Sequence, residues 1–345
     1  MKILPILLLM GVAFVSRAED LRPVIDQLSP AEVKETWDKL NGLISKSGGI
    51  DPAELERARL QGVLQKLGKN ARLSAKKTLG EVPAGIDFRS EILPRSILYA
   101  KLGDLSADNV LQLTGILKKE SKASAIILDL RATTGHATYE DAASLISIFT
   151  GGGKSLFSLV NGGTGIGKNF AGSGDALFSG IILVLINEET SGPAEVVASA
   201  LRQQVRALIV GKKSKGEALQ FASLLVNDRV NLEIAVGRIV LPGMPAEFLE
   251  NGVKPDLSVN SNSDEEREIL ARSDKEGITP FLFEIERSHM NESSLVAGRN
   301  PELDNYQARK MEKAEPTPLL DRSLQRALDT ATSLLILRES GKTGN

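Results

Sequence analysis

The sequence predicts an α/β fold with a mostly parallel sheet, preceded by a small helical module. Three observations carry this prediction. The runs Ala125–Leu130, Ile181–Ile186 and Ala207–Val210 are short and unbroken in apolar residues, as strands buried on both faces are. Stretches with helical spacing, Ser106–Glu120, Tyr139–Phe149 and Pro193–Gln204, alternate with them, and helices of this length between strands imply a parallel sheet covered on its faces. Nearer the N-terminus the apolar residues instead repeat every three or four positions: Val33, Trp37, Leu40 and Leu43, then Leu55, Leu60, Val63, Leu64 and Leu67.

Taken in order, Lys2, the apolar stretch Ile3–Val15 and Ser16-Arg17-Ala18 form a secretory signal over residues 1–18, cleaved before Glu19, with an uncleaved membrane anchor as the alternative. The expected location is therefore the periplasm or beyond it, in or outside a bacterial cell envelope, with no membrane span after signal cleavage. Residues 19–80 are the helical module, in which Asp51-Pro52-Ala53-Glu54 starts a helix and Trp37 is a core anchor. A linker over 81–96 leads to the α/β core, 97–260, where Ile97–Leu102 is a strand and Ser106 caps the first core helix. After Pro193–Gln204 come Ala207–Val210, the alternating segment Ala218–Asn227, and Val230–Leu241. Residues 261–315 turn polar and acidic, an excursion partly helical around 281–287 with no structure assigned to the rest, and 316–345 end in a helix. That helix, Asp321–Arg338, carries Leu324, Ala327, Leu328, Ala331, Leu334 and Leu335 on one face, which should pack back on the core.

Composition removes several function classes. Lys and Arg number 42 against 44 Asp and Glu, and aromatic residues make up 4%, so neither a basic footprint nor stacking platforms suggest nucleic acid. Without cysteine the chain has no disulfide, thiolate or lipidated cysteine. The two histidines, His136 and His289, are isolated and make no metal-site spacing. Gly162-Gly163-Thr164-Gly165-Ile166-Gly167-Lys168 has phosphate-loop spacing, but Asn169 stands where a magnesium-binding Ser or Thr belongs and no helix pattern follows. A surface hairpin tip is expected there, and no cofactor.

The chemistry concentrates between Ile181 and Gln220. The strand Ile181–Ile186 runs through the turn Thr190-Ser191-Gly192-Pro193 into a helix with Pro193 near its first position and Glu195 in its first turn. A residue on that turn sits at a helix N-terminus, where backbone N–H groups can hold a developing oxyanion. His136, after the strand Ala125–Leu130, lies at the carboxyl end where α/β sheets place ligands.

On these residues the chain resembles the tail-specific, or carboxy-terminal processing, serine proteases, which share the Clp protease/crotonase-like fold. Leu128-Asp129-Leu130-Arg131-Ala132-Thr133-Thr134-Gly135-His136 is similar to the family's Leu-Asp-Leu-Arg-Asn-Asn-Pro-Gly-Gly, and Gly252-Val253-Lys254-Pro255-Asp256-Leu257-Ser258-Val259 to its closing Gly-Ile-x-Pro-Asp-x-x-Val. Gly62–Leu67 resembles the end of the family's helical prodomain and Leu324–Leu328 its terminal helix. The resemblance implies serine-type proteolysis, a peptide or unfolded protein segment as partner, an oxyanion-hole glycine at Gly135, and homo-oligomers formed through the N-terminal helices.

Two departures stand against the matches. Only about Ser74–Ser96 lies where the family places a peptide-binding PDZ domain. The family's nucleophile in Ser-Ala-Ser-Ala-Ser-Glu falls on Gly192 and its general-base lysine in Gly-Lys-Gly falls on Glu217. Glycine has no attacking atom, and a carboxylate does not replace a lysine held neutral by burial. The expectation is a catalytically degenerate member whose Gly135, His136 and Gly192 line a peptide-binding pocket. The alternative is an active endopeptidase with a displaced dyad, Ser191 as nucleophile and Lys215 as base, or with His136 as base.

Overall fold

The computed structural model describes residues 25–47, 51–75, 88–131, 133, 137–165, 167–245, 248–282 and 319–342. The chain divides into two units, Met1–Gly68 and Lys69–Asn345. The expected signal segment 1–18, residues 76–80 of the expected helical module, residues 81–87 of the expected linker and most of the polar excursion lie outside the described residues; the rest of that linker, 88–96, carries a strand, Arg89–Leu93, rather than a plain connection.

The first unit contains two helices, α1 (Pro30–Ser47) and α2 (Pro52–Leu67). Ser29 and Glu32 close a capping box on α1, the Ser29 N–H donating to Glu32 Oε2 at 2.8 Å and the Glu32 N–H to Ser29 Oγ. Asp51 caps α2 by accepting from the Ala53 N–H at 3.0 Å. Trp37 is only half-buried, with the Arg59 guanidinium 5.1 Å from its ring. Leu40, Leu43, Leu60 and Val63 are exposed.

In the second unit a six-stranded sheet has the order β11-β8-β7-β4-β3-β2. These strands are β2 (Arg89–Leu93), β3 (Ile97–Lys101), β4 (Ala125–Asp129), β7 (Ile181–Ile186), β8 (Leu208–Gly211) and β11 (Leu257–Ser258). All are parallel except β2, which runs antiparallel to β3. Alternation divides the side chains between two cores. Ile126, Leu128, Ile182, Val184 and Ile186 face α3 (Ala107–Lys119), α4 (Tyr139–Thr150) and α5 (Pro193–Val205). Ile127, Leu183 and Leu185 face Ile269 of α6 (Ser263–Glu276) and Leu324, Ala327 and Ala331 of α7 (Arg322–Lys342).

The sequence reading held a single mostly parallel sheet, and the structure adds a second, antiparallel one. It comprises β1 (Ala71–Ala75), β5 (Ser155–Asn161), β6 (Gly167–Ala171), β9 (Leu219–Leu225) and β10 (Val230–Val240). The long β10 pairs with β1, β9 and β5, and Phe157, Leu159, Phe170 and Ile239 of this sheet join the α3–α5 core. Residues 71–75, assigned from sequence to the helical module, are thus a strand of the second unit. Five residues are too few to show a period against their helical neighbours, and their partner, β10, lies far along the chain. Likewise 263–276, assigned to the polar excursion, form α6, whose buried Ile269 and Leu270 are outnumbered by charges on its other faces.

An ionic cluster locks α7 to the sheet. Arg131, with no exposure, binds Asp129 (Nη2–Oδ2 2.6 Å), Asp321 (Nη2–Oδ2 2.7 Å) and Glu266 (Nη1–Oε1 3.3 Å). Asp321 also accepts from the Leu324 N–H at 2.9 Å, capping α7. Burial opposes the charge on Asp129, but Arg131 outweighs it and holds that carboxyl below its ordinary value. Breaking one arm leaves charge buried without its partner. Asp321→Asn should therefore lower stability by about 3–5 kcal/mol in urea denaturation followed by circular dichroism; an unchanged midpoint would show that the cluster does not hold α7.

Candidate active site

The strand β7 ends at Ile186, and after six intervening residues the chain enters α5 at Pro193 through a turn held at both sides. Thr190 Oγ1 donates to the Leu130 carbonyl at 3.0 Å, tying the turn to the end of β4, and the Asn187 N–H donates to Thr190 Oγ1. Gly192 takes φ 59° and ψ −125°, a backbone that side chains other than hydrogen adopt only under strain. Space does not require this glycine: a Cβ there would meet only the Glu217 carbonyl, at 3.8 Å. Pro193 follows and carries no N–H, so position 192 offers no attacking side chain and position 193 no amide of the kind that follows a nucleophile in strand-turn-helix hydrolase sites.

Glu195 organises what surrounds the turn. Fully buried, its carboxylate accepts from the Gly192 N–H (3.0 Å), the Glu217 N–H (2.7 Å), the Gly216 N–H (2.5 Å) and Ser214 Oγ (2.5 Å). One side chain thus joins the start of α5 to the loop between β8 and β9. Gly216 closes that loop tightly, since a Cβ on it would lie 2.7 Å from the Glu250 carbonyl and 2.8 Å from the Gly252 nitrogen. Lys69 Nζ donates to the Gly216 carbonyl at 3.1 Å and also to that of Glu250. Desolvation raises the Glu195 carboxyl above its ordinary value, the four hydrogen bonds offsetting part of the shift. Burial, with a contribution from the Glu195 charge, also raises the Tyr139 hydroxyl.

These elements enclose a cleft of about 240 Å³, with Gly192, Pro193, Tyr139, Glu217 and Phe221 among its walls. Ser191 also lines it, and among the described residues its hydroxyl has no hydrogen-bond partner. Lys215 does not line the cleft. Its side chain is 52% exposed, and its Nζ lies 3.1 Å from Glu217 Oε1, so its ammonium is paired with the carboxylate at the expected base position. Glu217 Oε2 pairs with Arg72 Nη1 at 3.1 Å. Gly135 and His136 lie outside the described residues. Their neighbour Thr133 lines the cleft with a buried hydroxyl that finds no partner among the described residues. A larger recess, about 370 Å³, lies at the other end of the strands, near Ser124, Gly180 and Arg338, away from these groups.

Sequence reasoning missed Arg72, Tyr139, Thr133 and Phe221. Arg72 reaches Glu217 across 145 positions, and no local pattern reports such a contact. The role of Glu195 had a signal, an acid three residues after the turn glycine, although its reach to residues 214–217 did not.

The parallel sheet covered on both faces, with a turn-to-helix cleft at its carboxyl end, defines a Clp protease/crotonase-like α/β core. Residues 96–259 match the family model of peptidase family S41. The chain is 24% identical to carboxyl-terminal-processing peptidase 1 of Arabidopsis thaliana chloroplasts, over 51% of this chain and 36% of that protein. It is 22% identical to the carboxyl-terminal-processing protease of Picosynechococcus, over 65% and 56%. It therefore spans between 36% and 56% of the length of these relatives. A candidate peptidase of Parabacteroides merdae superposes with a TM-score of 0.50 at 12% identity, over 68% of this chain and 84% of that one, and supports the fold alone.

Because Glu195 binds its proton more tightly folded than unfolded, its contribution is greatest below the unfolded value near 4.5 and is lost as pH rises through the folded value. Glu195→Gln removes this slope and sets an amide NH₂ against backbone donors, at a cost of about 1–3 kcal/mol. Urea midpoints of both proteins between pH 4 and 8 check this; parallel curves would show that Glu195 does not titrate with folding.

Proposed function

We propose that this protein is an exported member of family S41 that does not cleave peptide bonds and binds an extended peptide or protein segment in the Gly192 cleft. The observation that carries the reading is the turn itself, where Gly192 and Pro193 offer neither an attacking oxygen nor the following amide. The pairing of Lys215 with Glu217 supports it, since a lysine serves as base only when held neutral. The groove has a natural strand acceptor. Strand β9 pairs only with β10 among the described residues, and its Leu219, Gln220 and Phe221 line the cleft, so an added strand would run past the turn.

Purified protein should leave casein and unstructured tail peptides intact, and Ser191→Ala should behave identically by mass spectrometry of the digest. Hydrolysis that disappears in Ser191→Ala would replace this reading with the displaced Ser191/Lys215 dyad. Gly192→Ser should confer no hydrolysis and should cost about 1–3 kcal/mol of stability, because the side chain fits the space but not the backbone.

Export is proposed on the charged, apolar and small-residue order of residues 2–18. Among the described residues no helix is long and apolar enough to cross a membrane. Protein recovered from a bacterial envelope fraction should begin at Glu19 by N-terminal mass spectrometry; an intact Met1 in the cytoplasmic fraction would end the proposal.

A further inference from the structure

Among the described residues the cleft beside Gly192 has two charged side chains in its wall, Arg72 and Glu217, and they are bound to each other at 3.1 Å. Arg72 is engaged further: its Nε lies 2.6 Å from Glu233 Oε2 and its guanidinium stacks 4.4 Å from the Phe221 ring centroid. Glu217 has its second oxygen on Lys215. Neither charge in the wall is left free for a guest. A charged side chain entering this cleft would lose water without gaining a counter-ion, unless it displaced one member of the pair. A neutral side chain meets Leu219, Phe221, Pro193 and the ring of Tyr139, and the buried hydroxyl of Thr133 can hydrogen-bond a neutral amide of the same segment.

We infer that this subsite selects a neutral, apolar side chain of the bound segment, and that the Arg72–Glu217 pair sets the selection by cancelling both charges in the wall. The inference rests on the peptide-groove reading and adds a specificity to it. Removing one member exposes the other. Arg72→Met leaves Glu217 with only the exposed ammonium of Lys215, and Glu217→Gln, which keeps the shape of the side chain, leaves Arg72 turned toward Glu233 alone.

The probes are fluorescein-labelled Ala/Ser decapeptides containing a single Leu, Phe, Lys or Glu, titrated by fluorescence polarisation against full-length wild type and both variants, with folding checked by circular dichroism. Wild type should bind the Leu and Phe peptides about tenfold more tightly than the Lys and Glu peptides. Arg72→Met should tighten the Lys peptide about tenfold and Glu217→Gln the Glu peptide about tenfold, each with little change for Leu. If wild type binds the Leu peptide but the order is the same in both variants, or the Lys and Glu peptides bind wild type as tightly as Leu, the selection is overturned while the groove stands. If wild type binds none of the peptides, the groove reading falls and the selection with it. Should Arg72→Met fail to fold, the isosteric Glu217→Gln decides alone.

Discussion

A carboxylate with no contact with water, Glu195, is the constraint on which the cleft depends. Four donors converge on it, three of them backbone amides from segments about twenty residues apart. Burial makes the charge costly and the donors offset much of that cost, so neither the start of α5 nor the 214–217 loop can move without exposing an unpaired group. The positions of Gly192, Glu217 and Ser191 follow from this one junction. Lys69 extends it, fastening the beginning of the second unit to the same loop.

The sheet supplies rigidity of a different kind. Its strands are apolar on both sides, and the α3–α5 core on one face is matched by the α6–α7 core on the other. At the carboxyl end of β4, where a parallel sheet places its ligands, the chain divides its polar residues. Arg131 turns into the α7 side and is consumed by Asp129 and Asp321, whereas Thr133, two residues on, faces the cleft. The same loop therefore serves stability on one face and the cleft on the other.

In the proposed reading, Gly192 releases strain that a nucleophile-bearing turn would store. A positive φ at that position is tolerated by glycine at little conformational cost, while any L side chain pays for it. Glu217, at the expected base position, is drawn into an Arg72–Glu217–Lys215 chain of alternating charge. A site that no longer moves protons is free to satisfy its charges internally, which favours recognition of shape and neutrality over chemistry.

The sequence by itself determined the four central strands of the parallel sheet, β3, β4, β7 and β8, and the position of the turn, but not the edge strands β2 and β11. Runs such as Ile181–Ile186, the Ser106 cap and the Pro193 helix start are local consequences of burial and backbone geometry, and neighbours in sequence suffice to report them. Motif order also singled out Ser191, Gly192, Lys215 and Glu217 as candidates, of which Ser191, Gly192 and Glu217 line the cleft and Lys215 does not. Only the tertiary structure decided that 71–75 is a strand, that the hairpin β9–β10 belongs to a second sheet, and that Lys215 points its charge at Glu217. It alone brought Arg72, Thr133 and Tyr139 to the cleft. Those outcomes rest on pairings between residues far apart in the chain, chosen by which strand edges and charges remain unsatisfied after the core has packed, and periodicity carries no record of that choice.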